Sequence, residues 1–98
     1  MSLPLVINPL AEADLIAGRV WCESHRQGAG ADFLLCVEEV FERLRREPEA
    51  FAKKFQELRV APVRHFQFAV AYRVDDSQVT VVAVYHTRSD PRKWQARA

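Results

Sequence analysis

The sequence predicts an α+β fold in which a small, mostly antiparallel sheet packs on an N-terminal helical hairpin. Three observations lead to this prediction. Apolar residues recur at helical spacing from residue 9 to about residue 47. From Phe51 onwards they alternate with a period of two, as in strands. A chain of 98 residues holds one small core, so we expect a single domain, 1–98, in the order β-α-α-β-β-β with a short C-terminal helical turn.

The first two elements are a short strand and a long helix. Residues 5–8, LVIN, form a strand candidate between Pro4 and Pro9. Asn8 suits the N-cap of the following helix and Pro9 its first position, because proline has no N–H to leave unpaired there. We expect the helix to end at about Arg26.

This first helix is apolar around most of its circumference. Only Glu12, Arg19 and Glu23 share one polar stripe. A helix with so much apolar surface is either covered on two sides or offered to a partner. The surface we expect a partner to cover comprises Ala13, Ile16 and Val20 of this helix, together with Leu35 of the next.

The second helix has a cleaner pattern. The glycines of RQGAGAD interrupt the first helix, and Asp32 can cap a second helix of about fifteen residues that ends near Glu47, before Pro48. So short a link makes the two helices an antiparallel hairpin. Leu35 is the apolar exception on the polar side. The predicted core face comprises Phe33, Cys36, Val37, Val40, Phe41 and Leu44.

Three strands follow the hairpin. Residues 55–60 form an edge strand, residues 63–74 alternate strictly, and residues 79–86 are apolar on both faces, as in a central strand. The turn between the last two is DDSQ, residues 75–78. The alternation places Phe66, Phe68, Val70, Tyr72 and Val74 against the helices.

The register of this hairpin determines where the histidines lie. A two-residue turn at Asp76 and Ser77 pairs Phe68 with Tyr85, Gln67 with His86 and His65 with Arg88; a three-residue loop would reverse the parity. The face away from the helices would then gather His65, Gln67, Arg73, His86 and Arg88.

This set of residues has three possible interpretations. Cleavage of RNA through its own 2′-hydroxyl needs a base, an acid and cations beside the phosphate, roles that suit histidine and arginine. Arg59 and Arg64 lie close in sequence. The same residues suit phosphate binding without chemistry, or an ordinary solvated surface.

Charge is distributed unevenly along the chain. Residues 1–50 carry 5 Arg or Lys and 9 Asp or Glu, whereas residues 51–98 carry 9 and 4. The formal net charge is only +1, yet the C-terminal half is basic. A basic face fits a phosphate-bearing target or an acidic protein partner.

The two cysteines and the short apolar runs exclude several classes of protein. Cys22 and Cys36 are too few and too far apart for a zinc site, so we expect buried free thiols. An interhelical disulfide is the alternative. The sequence shows no membrane span and no signal peptide, which predicts a cytoplasmic protein.

Several segments together resemble the RelE/ParE family of toxins, known from type II toxin-antitoxin modules and plasmid stabilisation systems. They are AEADL (11–15), WCE (21–23), GAGADF (28–33), RHFQFAVAYRV (64–74) and VAVYHTRSDPRKW (82–94). The last is the most specific. The resemblance covers nearly the whole chain and implies the fold predicted above.

The resemblance implies a growth-inhibiting toxin bound by a cognate antitoxin, with no metal or organic cofactor. ParE-like members poison DNA gyrase, and the primary hypothesis is a gyrase-directed, ParE-like inhibitor or a toxin that acts by binding another target. The alternatives are a RelE-like ribosome-dependent mRNA endonuclease and an inactive homologue kept as an interaction module. Ser89 stands where this branch often has arginine, which counts against cleavage. A homodimer stays open.

The resemblance also suggests roles for residues. For a nuclease, His86 would be base or acid, and Arg59, Arg64 and Arg88 would stabilise the phosphate. Target binding would use His65, Gln67, Arg73, Arg92 and Lys93. Antitoxin binding would use Ala13, Ile16, Val20 and Leu35.

Overall fold

A computed structural model describes residues 2–98 and confirms the α+β prediction. A five-stranded sheet with the strand order β1-β5-β4-β3-β2 packs against the α1–α2 hairpin. β1 runs parallel to β5, and the other neighbours are antiparallel. The elements are β1 (Leu5–Ile7), α1 (Pro9–His25), α2 (Ala29–Arg46), β2 (Lys53–Phe55), β3 (Leu58–Pro62), β4 (Phe68–Val74), β5 (Val79–His86) and α3 (Pro91–Gln95).

Two of the strand boundaries predicted from alternation were wrong. Residues 55–60 are not one strand, because the chain reverses between β2 and β3 at Gln56, whose φ is 51°. The strand expected at 63–74 begins only at Phe68, since residues 63–67 form a loop in which His65 has a φ of 65°. The first reversal has a trace in the sequence, because Phe55 and Leu58 are three residues apart. The second leaves the apolar alternation of residues 66–74 intact, so period alone does not reveal it.

The second helix begins earlier than Asp32, for a reason that involves the first helix. Gly28 occupies the N-cap position with a φ of 87°, which favours glycine. The Glu23 carboxylate accepts hydrogen bonds from the N–H groups of Gly28, at 3.0 Å, and Gly30, at 3.0 Å. These bonds lower the pKa of Glu23. The α2 N-terminus is thus capped by a side chain from α1, and Asp32 instead pairs with Arg26.

The core has two layers, one on each face of the sheet. The larger lies between the helical hairpin and the sheet and includes Phe33, Leu44 and Tyr72. The smaller lies on the opposite face, where the buried Trp94 of α3 stacks on Tyr85 with ring centroids 5.3 Å apart. Asp90 accepts a hydrogen bond from the Arg92 N–H and so caps α3, the short C-terminal helical turn that the sequence predicts.

The cysteines are free and buried, as predicted. Burial raises the pKa of both thiols. A Cβ added to Gly18 would lie 2.9 Å from the Phe33 ring, which fixes the register between the antiparallel helices. In that register Cys22 and Cys36 lie about two helical turns apart, so they do not form a disulfide.

A bulge in β5 changes the predicted register. Near the turn the predicted register was right. A two-residue turn at Asp76 and Ser77 implies that Tyr72 pairs with Val81, as the structure shows. Ala71, however, pairs with Ala83, which leaves Val82 as an extra residue. Beyond the bulge Phe68 pairs with His86 and not with Tyr85. Because one extra residue reverses side-chain parity, His86 lies on the face that meets the helices.

Candidate functional site

The end of β5 and the first helix enclose a cavity of about 440 Å³, which we call the α1–β5 slot. Its floor is apolar and its outer rim is polar and basic. The β5 bulge is what brings His86 into it. The slot is lined by Asp14, Ala17, Gly18 and Trp21 of α1, by Phe68 of β4, and by Val84, His86, Arg88 and Ser89 at the end of β5.

Aromatic packing holds the His86 ring in the slot. Its centroid is 5.2 Å from Trp21 and 5.2 Å from Phe68, in edge-to-face arrangements. On its other side Trp21 stacks on His25 at 3.9 Å. Trp21 is nevertheless 45% exposed. The slot therefore presents a rigid aromatic wall that is open to solvent.

One backbone bond assigns the tautomer of His86. The Arg88 N–H donates to Nδ1 of His86 at 3.1 Å. In the neutral ring the proton then lies on Nε2, which becomes a donor. A general base acting through Nε2 needs that nitrogen unprotonated. The geometry favours a histidine that donates a hydrogen bond to a bound group.

The other titratable residue of the slot is already engaged. Asp14 accepts hydrogen bonds from the Arg97 guanidinium at 2.7 Å and from the Val84 N–H at 3.0 Å. Arg97 also donates to the Val82 carbonyl at 3.0 Å. The ion pair of Asp14 and Arg97 closes one end of the slot. It also provides hydrogen-bond partners for the Val82 carbonyl and the Val84 N–H at the bulged edge of β5.

Sequence reasoning missed the role of Asp14 and Arg97, although one signal existed. At 100° per residue Asp14 lies on the side of α1 opposite the stripe of Glu12, Arg19 and Glu23. An acidic residue off the polar stripe of a helix indicates a specific partner. The signal does not identify that partner, which is 83 residues away in the chain.

The other arginines proposed for catalysis do not line the slot. The Arg59 guanidinium donates to the Phe51 carbonyl at 2.7 Å. Arg64 is exposed and lies 3.9 Å from Glu39 of α2. Only Arg88 accompanies His86, so the structure does not assemble the set His86, Arg59, Arg64 and Arg88.

The residues predicted for target binding are dispersed. His65 lies in an exposed loop and is not opposite Arg88, and Gln67 accepts the Thr87 N–H through its carbonyl instead of pairing with His86. Arg73 is exposed opposite Thr80. In α3, Arg92 binds Asp90 at 2.7 Å, and Lys93 is exposed. They form no single surface with His86.

Comparison with known proteins identifies the chain's relatives. The family model described as "ParE toxin of type II toxin-antitoxin system, parDE" matches residues 5–91. The chain belongs to this ParE toxin family. It is also similar to Toxin ParE2 from two strains of Mycobacterium tuberculosis, with 36% identity over 62 residues in each. The match covers 63% of this chain and 59% of each relative.

Two solved structures share the fold of this ParE-family chain. One, the chromosomal ParDE toxin-antitoxin system from P. aeruginosa, has a TM-score of 0.73 and 16% identity, covering 87% of this chain and 96% of that one. The other, the toxin-antitoxin complex RelBE2 from Mycobacterium tuberculosis, has a TM-score of 0.59 and 23% identity, covering 92% and 95%. The RelE/ParE-like fold is thereby confirmed.

The first helix of this ParE-family chain carries an apolar surface, which we call the α1 stripe. Ile16 is 64% exposed and Val20 is 57% exposed, and Ala13 lies exposed between them and Leu10. Leu35, grouped with them in the sequence analysis, is 61% exposed but lines a different groove on α2. The α1 stripe comprises Leu10, Ala13, Ile16, Ala17, Val20 and Trp21, and the last residue also lines the slot.

Residues 2–98 contain neither a membrane-spanning helix nor a metal-binding cluster. None of the helices in this range is long and apolar enough to cross a membrane. The same residues contain no cluster of three or more His, Cys, Asp or Glu side chains that could hold a metal ion.

Proposed function

We propose that this ParE-family chain is a growth-inhibiting toxin that acts by binding its target, DNA gyrase, through the α1–β5 slot and its rim. The observation that carries the proposal is the bond from the Arg88 N–H to Nδ1 of His86. It leaves the ring as a hydrogen-bond donor beside one arginine. That pair suits recognition of an acceptor or anion better than proton abstraction.

The dispersion of the basic residues supports binding over cleavage. A nuclease would need an acid, a base and cations converging on one phosphate. Arg59 and Arg64 are engaged elsewhere, and Asp14 is held by Arg97. The slot therefore offers a donor, a cation and an aromatic wall, which together make a contact surface.

We further propose that a cognate antitoxin covers the α1 stripe. The relatives belong to toxin-antitoxin systems, and one solved neighbour is a toxin-antitoxin complex. Apolar side chains as exposed as Ile16 and Val20, grouped on one helix, are typical of a protein interface. Toxin and antitoxin would meet in the cytoplasm.

The test is to induce the chain alone and to assay the arrested cells for gyrase cleavage complexes and for transcript integrity. We expect arrest, stabilised cleavage complexes and intact transcripts. Lys54→Ala, an exposed β2 variant outside the slot, serves as the control for Arg88→Ala, which we expect to weaken the arrest. Transcripts cut in wild type and intact in His86→Ala would replace the proposal with the mRNA endonuclease. Antitoxin binding without toxicity would indicate the inactive homologue.

A further inference from the structure

The slot carries one positive charge that the described chain does not balance. Arg88 is exposed at the rim, and no carboxylate of residues 2–98 forms an ion pair with it. The carboxylate inside the slot, that of Asp14, is already held by Arg97 at 2.7 Å and by the Val84 N–H at 3.0 Å. The slot is therefore complementary to an anion and not to a cation.

His86 adds a neutral hydrogen-bond donor beside this cation. Its Nδ1 accepts from the Arg88 N–H, so the Nε2–H is the ring group left for a ligand. A carboxylate accepts hydrogen bonds on both of its oxygens, and it pairs well with the planar guanidinium of arginine. One ring donor and one guanidinium therefore match a single carboxylate.

The floor of the slot suits the apolar part of an amino-acid side chain. Phe68 and Val84 are buried there, and Gly18 has no side chain that would fill the space between them. The methylene groups of a glutamate, or an apolar neighbour of an aspartate, would cover this surface. They would also exclude water from the pair of charges, which strengthens the hydrogen bonds.

The aromatic wall is not arranged to stack a nucleobase. His25 covers one face of Trp21, with ring centroids 3.9 Å apart, and its Nδ1 donates to the Trp21 carbonyl at 2.8 Å. The rings inside the slot, Phe68 and His86, stand at 68° and 65° to the indole. Nucleobases stack face to face on aromatic side chains. Rings at such steep angles favour a small polar group over a base.

The charges around the slot also argue against the DNA backbone as the ligand. Among the lining residues in the range 2–98, Arg88 is the only arginine or lysine. The opposite wall, α1, carries three carboxylates and one arginine. A strand of DNA presents a negative charge about every 3.4 Å, so its binding sites need several cations in a row. One cation beside an acidic helix fits one carboxylate on a protein surface better.

We propose that the slot binds the side-chain carboxylate of an Asp or Glu residue on the protein surface of gyrase. One oxygen would accept from the Nε2–H of His86 and the other from the Arg88 guanidinium. The inference rests on the proposed function and specifies the group that this surface recognises. It also assigns the first contact to the protein and not to the DNA that gyrase holds.

Binding of the purified toxin to gyrase holoenzyme without DNA, and separately to duplex DNA without gyrase, tests the source of the anion. We expect binding to gyrase and none to the duplex. Arg88→Gln should weaken gyrase binding at least tenfold. The matched control is Arg73→Gln, an exposed β4 arginine that does not line the slot, and it should leave the affinity unchanged. Equal affinity of wild type and Arg88→Gln for gyrase would overturn the inference.

A pair of variants at one position tests the charge of the ligand. Ala17 is exposed and lines the slot, so Ala17→Glu adds a carboxylate to the mouth and Ala17→Gln adds the same bulk without charge. We expect Ala17→Glu to weaken gyrase binding at least tenfold more than Ala17→Gln, because it repels a carboxylate and competes for Arg88. Equal losses in the two variants would show that the ligand is not an anion.

Gyrase variants selected for survival under toxin expression identify the carboxylate. We expect resistant variants that have lost one Asp or Glu from the surface. Changing that residue to lysine should restore sensitivity to Arg88→Glu, which by itself should be non-toxic against wild-type gyrase. Resistant variants among which none has lost an Asp or Glu would contradict the proposed recognition.

The outcomes separate the inference from the proposed function. A toxin that binds duplex DNA but not gyrase alone, and still stabilises cleavage complexes, would overturn the inference and leave gyrase as the target. The same holds if cleavage complexes form equally with wild type and with Arg88→Gln. Growth arrest without any cleavage complexes would overturn the proposed function itself.

The melting temperatures of the variants show whether a loss of binding reflects a loss of fold. Arg88 and Ala17 are both exposed, so each variant should melt within a few degrees of wild type. A variant that keeps its Tm and loses gyrase binding supports the inference. If Arg88→Gln unfolds, the comparison of Ala17→Glu with Ala17→Gln decides, since those variants leave His86 and Arg88 in place.

Discussion

The Arg88 N–H and Nδ1 of His86 form a hydrogen bond of 3.1 Å within the turn that follows β5. The bond commits one ring nitrogen to the backbone and leaves the other as the one available to a ligand. The turn is reinforced by Ser89, whose N–H and hydroxyl both donate to the His86 carbonyl. The His86 ring and the turn at the rim of the slot are thereby fixed relative to each other before any partner binds.

Two substitutions of His86 should therefore differ in their effect on toxicity. His86→Gln keeps a side-chain donor but has no group that exchanges a proton near neutral pH, whereas His86→Ala removes both. If the ring only donates a hydrogen bond, His86→Gln should retain substantial toxicity and His86→Ala should lose about tenfold in potency. Titrating inducer against growth rate measures both, and equal, complete loss in the two variants would contradict the binding role.

The ion pair between Asp14 and Arg97 should contribute measurably to stability. Both side chains are about three-quarters buried, and Arg97→Ala would leave the Asp14 carboxylate and the Val82 carbonyl short of a partner. We expect a loss of about 2 kcal/mol in the free energy of unfolding. Urea denaturation measures it. Arg92→Ala, which removes an exposed ion pair with Asp90, should cost less than about 0.5 kcal/mol.

Glu23 should make the hairpin sensitive to acid. Hydrogen bonds from Gly28 and Gly30 lower its pKa in the folded state. A depressed pKa adds stability that is present above the unfolded value of about 4.3 and is lost as pH falls through the folded value. Glu23→Gln should therefore flatten the acid limb of the stability profile below about pH 5. Thermal melts from pH 3 to 7 test this, with Glu38→Gln as the exposed carboxylate control.

Gly18 is required by close packing of the hairpin and not by its backbone conformation. An added Cβ would lie 2.9 Å from Cζ of the buried Phe33. Overpacking costs about 1–3 kcal/mol, whereas alanine gains about 0.5–1 kcal/mol of helix propensity over glycine. Gly18→Ala should thus destabilise the chain by about 1 kcal/mol. Gly18→Ala combined with Phe33→Leu should recover part of the propensity gain, and an unchanged Tm in the single variant would contradict the close contact.

The α1 stripe should matter for binding and not for folding. Ile16→Lys and Val20→Lys replace exposed side chains, so each should change the free energy of unfolding by less than about 0.5 kcal/mol. Antitoxin affinity, measured by calorimetry, should fall at least tenfold. Leu35→Lys lies in a different groove, and comparison with it shows whether the interface extends across α2. Full affinity in both α1 variants would contradict the proposed interface.

Much of the fold could be predicted from the sequence because the period of its apolar residues is strong. α1 and β5 lie within one or two residues of their expected bounds. The turn at Asp75 was also predicted correctly, since its carboxylate accepts from the Ser77 and Gln78 N–H groups. Local chemistry of this kind is visible in a short stretch of residues.

The site was harder to predict because it depends on one bulge. β5 is apolar on both faces, so no residue in VTVVAVYH marks where parity changes. The sequence indicated His86 and Arg88 but assigned them to the wrong face. Of their companions in the slot, Phe68 was expected on the face that meets the helices, but not beside His86. The position of Asp14 off the polar stripe of α1 indicates a partner, but no local pattern identifies Arg97, which is 83 residues away.

The separation of Asp14 and Arg97 also has a consequence for the order of events during protein synthesis. The ribosome adds about 5–20 residues per second, so Arg97 follows Asp14 by several seconds. During that interval the α1 stripe has already been made, whereas the slot still lacks the residue that closes one end. An antitoxin that recognises α1 would therefore meet a nascent chain whose target-binding surface does not yet exist. Capture during translation would cover α1 before Arg97 is joined to the chain.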